Sequence, residues 1–158
     1  MKELAFGGID PGSQSGAIAF LFEKESPITI QFSKITTKEW FEILSTIAHK
    51  YECEVVLEKV HGMPGMSVVA ISSFMKNVGH IEMALLALNI PFKEVTPQTW
   101  MKYYGMKKEK TESKTEWKRR LRELLQRLMP DVKVTNDTAD AILIARYCKL
   151  TSDNHEKI

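Results

Sequence analysis

The sequence is poor in the residues that build disulfide frameworks and zinc sites. Among its 158 residues there are two cysteines, Cys53 and Cys148, and each lies in an apolar setting. We expect both to be reduced residues of the hydrophobic core. The four histidines are scattered and share no zinc-binding spacing with the cysteines. These absences argue against a disulfide-stabilised secreted scaffold and against a zinc module.

Long apolar runs, repeats and low-complexity segments are missing as well. No stretch approaches the roughly 20 apolar residues that a membrane-spanning helix needs. Residues 1–7 are too short and too quickly structured for a secretory signal, so we expect a cytoplasmic protein with no membrane partner. With 44% hydrophobic and 27% charged residues, the chain fits one globular domain over 1–150, followed by a polar tail over 151–158.

Charge is small in total but unevenly placed. The formal net charge is +2, yet residues 101–133 contain 11 Lys and Arg against 5 Asp and Glu, a local +6 that leaves −4 for the rest. A basic block beside an acidic remainder favours a polyanion-binding surface next to a cation site, although a solvated helix face would show the same run of charge. The lysines that we expect to form this polyanion-binding surface are Lys102, Lys107, Lys108, Lys110, Lys114 and Lys118.

The apolar pattern predicts an α/β domain with a mixed sheet flanked by helices. Three strands joined by short connections should form an antiparallel meander, at about 4–9, 16–22 and 28–32. The later part alternates helices and strands: a helix over 38–50 capped by Thr37, a strand over 53–57, a helix over 67–88, a strand over 91–95 and a short helix over 96–104. A capping box at Ser113 and Glu116 starts the next helix, and residues 136–140 open the last one.

Carboxylates occupy the ends of two of these strands and the start of the last helix. Asp10 leaves the first strand in the turn Gly8-Ile9-Asp10-Pro11-Gly12-Ser13, and Glu58 ends the strand at 53–57. Asp137 and Asp140 are three residues apart, so we expect them on nearly the same side of the last helix. Turn composition alone could explain Asp10, and helix capping could explain one of the two helix aspartates. Asp140 lies among apolar residues and therefore needs a partner.

If these four carboxylates converge, divalent metal is their natural partner, because hard ions such as Mg²⁺ and Mn²⁺ prefer carboxylate oxygens. Two such ions about 4 Å apart can hold a phosphodiester, activate water and stabilise the leaving oxygen. The basic block would then bind backbone phosphates.

Three stretches of the chain resemble the RuvC-type Holliday junction resolvases in order and spacing: Gly8–Ser13, Leu57–Val60 and Asp137–Ala141. The resemblance runs from about Leu4 to Cys148. It implies a ribonuclease H-like fold with a five-stranded mixed sheet, two Mg²⁺ ions per active site with Mn²⁺ able to substitute, and a homodimer. Such a dimer would nick two strands of a four-way DNA junction symmetrically.

Carried over by residue, the resemblance implies that Asp10, Glu58, Asp137 and Asp140 are metal ligands. The family's catalytic lysine falls on Lys114, and a second lysine falls on Lys102; both are also consistent with surface lysines. The chain departs from bacterial members after the glutamate strand, where they carry an aromatic wedge. Here His61 and Met63 are the candidates for that DNA contact, and His61 could equally be a plain loop histidine.

The long helix supplies the candidate dimer surface, because its apolar residues exceed what one sheet face needs, although each could be ordinary core. They are Phe74, Met75, Val78, Ile81 and Met83.

Three other functions compete with junction resolution. A broader branched-DNA or RNA-processing nuclease of the same fold would keep the four carboxylates. An actin-like ATP-binding protein needs a second lobe, for which 158 residues leave no room. A non-catalytic nucleic-acid-binding module is disfavoured, because clustered carboxylates without metal would repel each other and DNA.

Overall fold

The computed structural model describes residues 1–61 and 64–152. Its strands are β1 (Leu4–Asp10), β2 (Ala17–Phe22), β3 (Ile28–Gln31), β4 (Glu52–Glu58) and β5 (Phe92–Val95). Its α-helices are α1 (Thr37–Lys50), α2 (Val68–Ala87), α3 (Pro97–Tyr103), α4 (Lys114–Leu128) and α5 (Ala139–Thr151). A short 3₁₀ turn, Phe32–Lys34, follows β3, so that strand ends before Phe32.

The five strands form one mixed sheet in the order β3-β2-β1-β4-β5. The pairs β1–β2 and β2–β3 are antiparallel, whereas β1–β4 and β4–β5 are parallel. This confirms the predicted α/β class, the antiparallel meander and the mixed five-stranded sheet. Ile9 lies opposite Leu57 in the parallel pair, so the residues that follow them, Asp10 and Glu58, end their strands at the same edge of the sheet.

Helices cover both faces of the sheet because successive strand residues point to opposite sides. On β1, Ile9 packs in a core with side chains of α1 and α2, and Phe6 packs in a second core with side chains of α3, α4 and α5. Cys53 and Cys148 are buried, one in each core, and neither forms a disulfide, as expected.

The closest approach of a helix to the sheet involves Gly8. A Cβ atom there would collide with the backbone of Ala141 and Ala145 on α5. Only glycine at this position lets α5 lie directly on β1. The contact brings the first turn of α5, with Asp140, to the end of β1 where Asp10 lies.

The structure confirms one predicted helix cap and corrects another. The capping box of α4 is confirmed, because Ser113 Oγ accepts the Glu116 N–H and the Glu116 carboxylate accepts the Ser113 N–H. For α1 the predicted cap was wrong by one residue: Thr36 is the N-cap, and Glu39 completes the box. The box requires an acidic residue three positions after the cap, and Glu39 satisfies that for Thr36 rather than for Thr37.

The predicted apolar surface of α2 divides between core and solvent. Phe74 and Ile81 are buried, whereas Met75 and Met83 are exposed.

At the other end of the chain, α5 continues to Thr151 and Ser152 is buried, so the first two residues of the predicted tail are structured. Within the described residues, no helix is both long and apolar enough to cross a membrane.

Candidate metal and nucleic-acid site

Three of the predicted carboxylates meet at one edge of the sheet. Asp10 ends β1, Glu58 ends β4, and Asp140 lies in the first turn of α5. The turn after β1 is tight: Asp10 Oδ1 accepts the Gly12 N–H at 3.2 Å, and the Gly16 N–H donates to the Gly12 carbonyl at 2.8 Å. These bonds set the direction in which the Asp10 carboxylate leaves the strand.

Burial and mutual repulsion disfavour the charged forms of Asp10 and Glu58. Burial, reinforced by the charge of Asp140, raises the pKa of Asp10 from 3.8 to about 6. Burial, reinforced by the charge of Asp10, raises the pKa of Glu58 from 4.5 to about 8. The carboxylates therefore interact electrostatically as one cluster, and a positive charge placed among them would stabilise it.

Lys118 supplies part of that charge. Its Nζ lies 2.6 Å from Oδ2 of Asp140, and the two side chains are only 21% and 11% exposed. Burial works against the charged form of Lys118, but attraction to Asp140, and then to Asp10 and Glu58, outweighs it and raises the pKa of the amine. Asp140 thus has the partner that its apolar surroundings demanded, although its other oxygen, Oδ1, is buried without a hydrogen-bond partner.

Trp100 is a site residue that the sequence did not reveal. It lies on α3, and its indole Nε1–H donates to Oε2 of Glu58 at 2.6 Å. The only available signal was topological: α3 follows β5 directly, and β5 pairs with β4, which ends in Glu58.

The donor set has the chemistry of a hard-cation site. Among the described residues, no group of three or more His, Cys, Asp or Glu side chains is arranged to hold a metal ion as it stands, and the ammonium of Lys118 lies against Asp140. Even so, clustered carboxylate oxygens are the ligands that Mg²⁺ and Mn²⁺ prefer, and Asp140 Oδ1 is an oxygen without a partner. In donor chemistry, though not in their present arrangement, these residues suit a divalent cation.

Asp137 lies at the margin of the cluster. It precedes α5 and is exposed, so it does not share a helix face with Asp140 as the sequence spacing had predicted. The helix begins later than expected, with Thr138 as its N-cap residue, and Thr138 Oγ1 accepts the Thr135 N–H at 3.1 Å. The charge of Asp137 still contributes to raising the pKa of Asp10, as the smallest of five influences.

Of the predicted lysines, Lys118 is the one that forms an ion pair with a carboxylate of the cluster. Lys114 is the first residue of α4 and is exposed, one helical turn before Lys118, which is the lysine that reaches Asp140. The remaining predicted DNA contacts are exposed: Lys102, Lys107, Lys108, Lys110 and His61. Met63 lies outside the described residues.

Arg120 anchors the loop that carries three of these lysines, residues 105–112. Its NH1 donates to the Lys107 carbonyl at 3.4 Å and to the two Glu112 carboxylate oxygens at 2.9 and 3.0 Å. Its guanidinium also lies 5.4 Å from the Trp117 ring centroid. The loop is therefore fastened to α4 at both of its ends.

The fold matches that of solved RuvC structures. Two solved structures of Thermus thermophilus RuvC, one of them in complex with a Holliday junction substrate, align with 89% of this chain and 90% of their own. Their sequence identities are 13% and 14%, and their TM-scores are 0.62 and 0.53, the structure in complex having the higher score. The yeast mitochondrial Holliday junction resolvase aligns with 99% of this chain and 84% of its own at 16% identity, with a TM-score of 0.43.

No protein-family model matches the sequence, and no curated protein sequence matches it. The similarity to the two Thermus thermophilus structures shows that the chain has the RuvC-like, ribonuclease H-like fold expected from its three motifs.

Proposed function

We propose that this protein is a metal-dependent endonuclease that resolves four-way DNA junctions by paired symmetric nicks. One observation carries the proposal: in a RuvC-like fold, the carboxylates of Asp10, Glu58 and Asp140 are brought to one edge of the sheet with raised pKa values for the first two. Perturbed carboxylates that cluster at the ends of buried elements are typical of catalytic sites. RuvC, whose fold this chain has, was solved bound to a Holliday junction substrate.

The cluster would hold Mg²⁺, two ions per site, with Mn²⁺ as a substitute. Asp10, Glu58 and Asp140 are the proposed ligands, with Asp137 at the margin. The ions would supply an activated water and stabilise charge on the phosphodiester. The protein's own contribution is to present the carboxylate oxygens on rigid strand and helix ends and to keep their positions fixed.

Lys118 is the proposed charge-stabilising group beside the scissile phosphate, because its ammonium already lies within the cluster. The resemblance had indicated Lys114, with Lys102 as a second lysine. We propose that these two, together with the lysines of loop 105–112 and His61, contact the DNA backbone, since all are exposed and lysine ammonium groups attract phosphates.

Two symmetric nicks require two active sites, and we propose that α2 joins two copies of the chain. Val68, Met75, Met83 and Leu86 are all exposed, and their spacings of seven, eight and three residues place them on one side of the helix. An exposed apolar stripe of this kind is typical of a protein–protein contact. A second copy is the occupant that paired cleavage calls for.

The test is cleavage of a synthetic four-way junction with a mobile core in Mg²⁺, with the nicks mapped on all four strands. Linear duplex, a replication fork and an RNA–DNA hybrid serve as matched substrates. We expect symmetric nicks on two opposing strands of the junction alone. Cutting of forks or duplex to the same extent would instead indicate a broader branched-DNA nuclease, and cutting of the hybrid alone an RNA-directed enzyme.

Asp10→Asn is the matched variant for this experiment. It removes a proposed metal ligand and no phosphate contact, so it should abolish cleavage and leave junction binding intact. A folded Asp10→Asn protein that no longer binds the junction would contradict this division of roles between carboxylates and lysines.

A further inference from the structure

We propose that Trp100 is a positioning residue for the metal site: by donating its indole N–H to Oε2 of Glu58, it fixes the carboxylate and leaves Oε1 as the oxygen presented to a divalent cation. This inference rests on the proposed function, and it assigns a role to a residue outside the set of carboxylates and lysines.

The hydrogen bond is short and fully enclosed. The distance between Trp100 Nε1 and Glu58 Oε2 is 2.6 Å, the tryptophan is 0% exposed and the glutamate is 8% exposed. The indole is a donor only, so its polarity in this contact cannot reverse.

Glu58 depends on this contact. Among residues 1–61 and 64–152, no other side chain donates a hydrogen bond to its carboxylate. Metal ligation requires a carboxylate in a defined orientation, and the hydrogen bond from Trp100 supplies that orientation.

The position of the indole is itself determined by packing. Trp100 packs in the core beneath α5, and its ring meets that of Tyr104 edge-on, with centroids 6.4 Å apart and an interplanar angle of 75°. The Tyr104 hydroxyl donates to the Leu143 carbonyl on α5 at 2.7 Å. A continuous series of contacts therefore connects Glu58 on β4 with α5, the helix that carries Asp140. These contacts fix the position of one proposed ligand relative to the other.

Trp100→Phe isolates the hydrogen bond, because phenylalanine keeps an aromatic ring in the core and removes the N–H. Binding of Mn²⁺ to the full-length protein, measured by calorimetry or by loss of the free-ion paramagnetic resonance signal, should weaken about 10- to 100-fold, the usual effect of losing a hydrogen-bond partner of a metal ligand. Trp40→Phe is the matched control. Trp40 is also buried, but it packs in the core on the opposite face of the sheet, so its replacement should leave Mn²⁺ affinity within about twofold.

A second substitution distinguishes a role through Glu58 from a general loosening of the core. In a Glu58→Gln background, Trp100→Phe should have no further effect on Mn²⁺ affinity, because the carboxylate through which it acts is gone. An equal loss in both backgrounds would overturn the positioning role, and so would a folded Trp100→Phe protein that binds Mn²⁺ as tightly as wild type. Absence of Mn²⁺ binding by the wild-type protein would overturn the metal site of the proposed function as well.

The wild-type protein offers a readout that does not depend on the variant folding. Of the three tryptophan indole N–H signals in a ¹H–¹⁵N spectrum, that of Trp100 should shift on titration with Mg²⁺, while that of Trp40 should stay in place. The Trp40→Phe and Trp117→Phe spectra assign the signals by elimination. A Trp100 signal that does not respond to Mg²⁺ at concentrations that saturate the site would contradict the proposal.

Discussion

Replacing Glu58 by glutamine should make the metal-free protein more stable than wild type at neutral pH. At no pH between 4.5 and 8 should the variant be less stable than wild type. The side chain keeps its shape and an oxygen that can accept the Trp100 indole N–H. What it loses is a carboxyl group whose charged form the site opposes. The gain in stability would be the counterpart of the proposed metal binding, because clustered carboxylates repel one another when no cation is bound.

The sign and size of this change in stability follow from the pKa of Glu58, which rises from 4.5 in an ordinary setting to about 8 in the folded protein. Below pH 4.5 both states bind the proton, so the raised pKa contributes its full stability there. Between pH 4.5 and 8 the unfolded chain has released the proton and the folded chain has kept it, so wild-type stability falls as pH rises. At pH 7, about 2.5 pH units above 4.5, the wild-type free energy of unfolding has fallen by about 1.36 kcal/mol per unit, or about 3 kcal/mol in total.

The assay is thermal unfolding in a chelator at pH 4.5, 6, 7 and 8. We expect the wild-type and Glu58→Gln melting temperatures to be similar at pH 4.5 and to separate by roughly 6–12 °C at pH 7, since about 1 kcal/mol corresponds to 2–4 °C in a chain of this size. Glu23→Gln, at an exposed position, is the control and should follow wild type throughout. Parallel curves for wild type and Glu58→Gln would refute the reasoning.

Three further predictions concern the charges and the apolar surface around the site. Lys118→Ala should destabilise the metal-free protein by about 3 kcal/mol in urea unfolding, because it leaves Asp140 as an unpaired buried charge, and Asp140→Asn in the same chain should restore most of the loss; a Lys118→Ala protein of wild-type stability would contradict this. Alanine in place of the three lysines within 107–110 should lower the dependence of junction binding on salt by about 2 to 3 in log–log slope, and an unchanged slope would mean that the loop does not contact phosphates. Met75→Glu with Met83→Glu should convert a dimer to a monomer in sedimentation and abolish paired nicking; a wild-type protein that sediments as a monomer would count against α2 as the interface.

Local patterns in the chain were enough to predict most of the fold. Alternation and apolar runs mark the strands because side-chain direction repeats every two residues along a strand. The capping box of Ser113 and Glu116 marked the start of α4, since both groups satisfy free N–H groups within four residues of each other. Asp10 and Glu58 could be placed at the ends of two strands, whereas their meeting at one edge of the sheet follows from the parallel pairing of β1 with β4 in the structure.

The site depended on relations that no local pattern contains. Lys114 and Lys118 are one helical turn apart, and the position of α4 against α5 decides that Lys118 is the one that meets Asp140. Asp137 is exposed because α5 begins later than the spacing of the two aspartates suggested.

Trp100 shows the same division most clearly. In the sequence, Trp100 could be recognised only as a large apolar residue on a short helix. Its contact with Glu58 joins residues 42 positions apart and arises because α3 begins where β5 ends beside β4. The sequence by itself determined which residues could carry charge and about where each strand would lie, because those properties depend on side-chain type and short-range periodicity. Only the tertiary structure decided which lysine and which indole meet the carboxylates, because that depends on how whole helices pack across the sheet.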